Sequence, residues 1–82
     1  MDENDWRYEE LSTYYSDQVL GETAVIFKDL KDKTYYIRYY DETGEVFHTE
    51  HYTKNSVYYV EDAAENWALG YKKIEKGGLQ TY

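Results

Sequence analysis

The residue types able to do acid–base or metal chemistry gather in one short stretch, His48-Thr49-Glu50-His51. On a strand, His48 and Glu50 share a face, where an imidazole and a carboxylate can trade a proton or bind zinc weakly. His48 and His51 are three apart, so on a strand they face opposite sides and cannot share a metal. Two ligands fall short of a zinc set, and the plainer reading is a pair of polar residues on a solvated outer face. The chain has no Cys, which excludes disulfides, thiolate metal sites and thiol nucleophiles. Its five Gly are scattered or terminal and build no phosphate-cradling loop. Ser12, Ser16 and Ser56 lack the glycine-flanked context of a nucleophile elbow. The adjacent acids Glu9-Glu10, Asp41-Glu42 and Glu61-Asp62 read as solvated groups at helix starts and turns. The expectation is a protein that is not an enzyme, with no catalytic residue, no cofactor and no metal.

Binding chemistry is better represented. Aromatic residues make up 20% of the chain, with twelve Tyr against two Phe. Tyr combines a large apolar ring with a hydroxyl that needs a partner, which suits a boundary or a contact surface. Tyr36, Arg38 and Tyr40 alternate along one stretch and would share one face of a strand. They are the candidate protein-contact residues. The same arrangement could stack the bases of a single strand. Charge argues against that. The net charge is −8, with −6 in residues 1–23, −4 in residues 24–65 and +2 in residues 66–82. A chain this acidic is repelled by the phosphates of double-stranded nucleic acid and by anionic membranes. It suits a basic protein surface, and in the extreme it could mimic DNA.

The elements that must position these residues follow from pattern. Thr34–Tyr52 reads as a β-hairpin, with Tyr-, Val- and Thr-rich arms around Asp41-Glu42-Thr43-Gly44. Tyr35, Ile37 and Tyr39 should face the core, because the alternate face carries Arg38. Thr23–Asp29 is a further strand by composition. Tyr8, Leu11 and Tyr15, with Tyr14 alongside, fall on one helical face and predict a helix over 5–15, with a strand through Thr13–Val19 as the rival. Val60, Ala63, Ala64, Trp67 and Ala68 form an apolar stripe at helical spacing and predict a helix over 56–69. Its acids should sit near its start and Lys72 and Lys73 beyond its end, with Gly70 as a left-handed cap. Residues 71–74 would be a short strand or frayed. The predicted fold is α+β: a three-stranded antiparallel meander covered on one face by the C-terminal amphipathic helix, with a short N-terminal helix. Residues 1–82 form a single domain, with 1–4 and 77–82 flexible.

The segment Tyr58–Gly70, YYVEDAAENWALG, following a Tyr-rich meander, resembles small uncharacterised acidic accessory proteins of tailed bacteriophages, especially T4-like phages of marine cyanobacteria. The resemblance runs from the second strand through the helix, about half the chain. It implies a cytosolic accessory protein acting in the host cytoplasm, and it supplies no catalytic residues. The N-terminus MDENDWRYEE has no apolar core, so no signal peptide is expected, and no apolar run is long enough to span a membrane. The functional expectation is a module that binds another, unidentified protein. The alternative is a self-associating assembly protein. With 82 residues the core is thin, and a homodimer would recover stability.

Overall fold

The computed structural model describes residues 7–74. Along these, β1 (Tyr8–Tyr15), β2 (Thr23–Asp29), β3 (Thr34–Tyr40) and β4 (Val46–Tyr52) precede one helix, α1 (Val57–Ala68). The strands form one antiparallel sheet in the order β1-β2-β3-β4, and the helix lies across one side of it, chiefly on β1, β2 and β3. The α+β class and the C-terminal helix stand as expected. The sheet has four strands rather than three.

The fourth strand is the segment predicted to be an N-terminal helix. Residues 8–15 pair with β2, and residues 5 and 6 lie outside the described ones. The cause is a bulge. Leu11 is an extra residue between Glu10, opposite Phe27, and Ser12, opposite Ile26. A bulge shifts the parity of a strand. Leu11 and Tyr14, three apart, therefore both pack against the core, while Tyr8 turns to the opposite side. That three-residue spacing imitates a helix. The strand stops where the Ser16 hydroxyl accepts the N–H groups of Gln18 and Val19 at 2.9 and 3.0 Å, so it does not run on to residue 19.

The β3–β4 hairpin forms as its composition demands. Asp41 Oδ1 accepts the N–H groups of Thr43 and Glu45 at 2.9 and 3.0 Å, and Gly44 takes φ +90°, where a Cβ would be strained. In the helix, Ser56 caps the start by accepting the Tyr59 N–H at 3.3 Å. Gly70, at φ +91°, ends it, with the Tyr71 N–H donating to the Asn66 carbonyl at 2.8 Å. The first turn holds no acid and the last turn no base, so the dipole argument for Glu61, Asp62 and the lysines does not apply.

The core lies between sheet and helix. Ala24, Ile26, Ile37 and Tyr39 meet Val60, Ala64, Trp67 and Ala68, and Ala63 packs at the margin. Trp67 is 6% exposed and sits edge-on to Tyr39, ring centres 5.1 Å apart. Ile37 and Tyr39 face the helix, as alternation predicted. Residues 71–74 form no strand, but they are tied down: Ile74 packs against the core and Lys72 reaches β4. The flexible ends expected at 1–4 and 77–82 lie outside the described residues.

Candidate functional site

Because α1 covers one side of the sheet, the other side is formed by the alternate residues of every strand. Register places Tyr36 opposite both Phe27 and His51, and Arg38 opposite both Val25 and Thr49. Paired residues share a face, so one open surface carries all six. Tyr36 is its hub. Its ring stacks on Phe27 at 5.1 Å and 15°, takes the ring of Tyr8 edge-on at 5.8 Å, and meets His51 at 5.7 Å. These neighbours leave Tyr36 only 7% exposed although no helix lies over it. Burial pushes its hydroxyl pKa up, against the opposing pull of Arg38. An open cleft of about 550 Å³ has Tyr36 in its floor, with Tyr8, Arg38, Thr49 and His51 among its walls.

Arg38 stands over this floor. Its guanidinium carbon lies 5.2 Å from the centre of the Tyr36 ring and 5.4 Å from that of Phe27, close enough for both ring faces to attract the cation. The side chain is exposed, and no carboxylate among the described residues pairs with it. The far end of the cleft is different. There Arg7 forks onto Asp29, Nε to Oδ1 at 3.0 Å and Nη2 to Oδ2 at 2.9 Å, and also reaches Asp32 at 3.4 Å. The Arg7 hydrogen bonds, helped by the N–H groups of Asp32 and Lys31, outweigh burial and hold the Asp29 carboxyl below the usual carboxylate range. At one end of the cleft the cation is thus already paired with carboxylates, and at the other Arg38 has no such pair among the described residues.

The three candidate contact residues do share a face, as alternation required, but they do not play one role. Tyr36 is floor, Arg38 is the exposed group, and half-buried Tyr40 sits away from the cleft, opposite Thr23 and Val46. The His48–Glu50 pair is not on the outer face. His48 lies opposite Tyr39 and Glu50 opposite Ile37, both on the helix side, while His51 faces the open side. His48 and His51 are thereby divided between faces, as their spacing demands.

On the helix side Glu50 anchors a polar network that sequence patterning missed. It accepts the hydroxyls of Tyr39 and Tyr52, each at 2.8 Å, and the Lys72 ammonium at 2.7 Å. His48 Nε2 lies 3.6 Å from its other oxygen. Burial alone would raise the Glu50 pKa, but the bonds from Lys72, Tyr52 and Tyr39 win and hold it below the usual range. The Tyr39 and Tyr52 hydroxyls move the other way, up, through burial and the adjacent carboxylate. Lys72 Nζ also lies 3.4 Å from the Tyr52 hydroxyl, and the cluster ties the segment after α1 to β4. No group of three or more His, Asp or Glu among the described residues could hold a metal ion. No helix among them is long and apolar enough to cross a membrane. Comparison of the chain with family models, curated proteins and solved structures finds no match.

Proposed function

We propose that this chain is a non-enzymatic module that binds another protein through the open face of its sheet, with Arg38 receiving a carboxylate of the partner. The observation that carries this reading is Arg38 itself. In a chain of net charge −8, its guanidinium is exposed, lacks an acidic partner among the described residues, and is oriented by two rings. A planar guanidinium fixed in this way loses little freedom when a carboxylate binds it side-on. His51 and Thr49 offer further hydrogen bonds at its flank. Stacking a nucleobase is disfavoured, because the ring of Tyr36 is already occupied by Phe27, Tyr8 and Arg38. On this reading the module would act in the host cytoplasm, as the resemblance to phage accessory proteins implies.

A basic partner would need a different surface, such as the exposed acids Asp62 and Glu65 of α1. One experiment separates the two. Wild-type and Arg38→Glu protein serve as baits, and each captured protein is purified and titrated against both by calorimetry. The expected result is a partner whose affinity falls by roughly 10- to 100-fold with Arg38→Glu, as for loss of a charge-assisted pair, while the variant melts like the wild type. Equal affinity for both baits would overturn the open-face reading, and loss through Asp62→Lys instead would establish the basic partner.

A further inference from the structure

We infer that a second copy of this chain adds to the sheet at β4, by antiparallel pairing about a two-fold axis at Thr49. The sheet has two edges, and they are not alike. β1 is interrupted by the bulge at Leu11 and carries exposed Glu9 and Glu10, devices that discourage strand addition. β4 is irregular only at its start, where Phe47 is the extra residue between Val46 and His48. From His48 to Tyr52 it runs in regular register along β3, with no Pro or Lys to block its outer edge.

The order of side chains on β4 selects the occupant. A two-fold normal to the sheet must pair one residue with itself, because partners have to share a face. Centring the axis on Thr49 sets Thr49 against Thr49 and His48 against Glu50 of the partner, twice by symmetry. Both kinds of pair are favourable directly across strands. Centring it on Glu50 instead opposes two carboxylates, which repel, and centring it on His48 opposes two imidazoles and gives up both His–Glu pairs. The sequence is therefore self-complementary in one of these three registers. His48 can meet the partner, since its side chain is 37% exposed, whereas Glu50 keeps its own ties to Tyr39, Tyr52 and Lys72. This axis would leave both open faces on the same side, so a dimer would present two Arg38 clefts together. The inference rests on the β4 edge rather than on Arg38, although Thr49, in the wall of the Arg38 cleft, lies on its axis, and the His48 variants test it apart from the partner reading.

Sedimentation equilibrium of the full chain at physiological salt tests it, so that repulsion between acidic copies is screened beyond about 8 Å. The wild type should dimerise reversibly, with amides of β4 gaining hydrogen-exchange protection as concentration rises. His48→Glu, which puts carboxylate against carboxylate, should weaken the dimer at least about tenfold. His48→Lys, a permanent cation facing the partner's Glu50, should hold or tighten it, and keeps the test decisive even where His48→Glu misfolds. A monomer at every concentration, or a dimer indifferent to both His48 variants, would overturn the inference.

Discussion

Removing the Glu50 side chain should expose how much the helix-side network contributes. In Glu50→Ala the Tyr39 hydroxyl loses its acceptor, and Tyr39 is 0% exposed. A buried donor stranded in this way costs about 1–3 kcal/mol. Tyr52 and Lys72 are only half-buried and can turn to water, so their loss adds no more than about 1 kcal/mol. The sum, about 1–4 kcal/mol, is a large part of the roughly 5–15 kcal/mol that holds a small domain. Urea unfolding followed by circular dichroism measures it. Two signatures identify the mechanism. First, Tyr39→Phe should rescue part of the loss in the Glu50→Ala background, because the stranded hydroxyl is gone. Second, the gap between wild type and variant should depend on pH. The folded-state pKa of Glu50 is depressed, so its stabilisation is fully present above the unfolded value of about 4.3 and is lost as pH falls through the folded one. The gap should be widest near neutrality and shrink below about pH 4. A gap under about 1 kcal/mol, or one constant from neutral to acid pH, would refute the assignment of Glu50 as the anchor of the network.

Two further outcomes follow from burial. Trp67→Ala should cost about 3–5 kcal/mol, lowering the urea midpoint more than any other single truncation on α1, because Trp67 fills the layer against Tyr39. Tyr36→Ser should destabilise by about 3 kcal/mol even though it lies on the open face, whereas Tyr40→Ser, half-buried and off the cleft, should cost about 1 kcal/mol; thermal melts of the two single variants would show the contrast.

The parts of the fold that were legible are those where local rules and packing agree. Asp41 and Gly44 fix their hairpin from within four residues, and Ser56 and Gly70 bound a helix whose apolar stripe has one period throughout. β1 was not legible, because Leu11 breaks the two-residue period in mid-strand and leaves a three-residue spacing that belongs to a helix. No residue near Leu11 announces the bulge; it is set by the fit of β1 to β2 and by burial of Leu11 and Tyr14 under α1. A strand whose alternation slips once is indistinguishable, from its own residues, from a short amphipathic helix.

The candidate site divides in the same way. Alternation alone put Arg38 and Tyr36 on the face away from Ile37, and that parity held. It could not show that Tyr36 is covered. Cover comes from Tyr8, Phe27 and His51, on three other strands, and the first of these belongs to the strand that was misread. Arg38 was expected to mark the solvated side simply by being charged. The property on which its proposed role rests is relational: two ring faces beneath it, and no carboxylate among the described residues to quench it. Glu50 was legible as an acid beside a histidine, but not as an anchor. Its strongest partner, Lys72, is 22 residues away and reaches it only because Gly70 turns the chain back at the helix end. The distinction is physical. Periodicity reports which way a side chain points relative to its own element, whereas a binding group is defined by what the other elements bring to it or withhold.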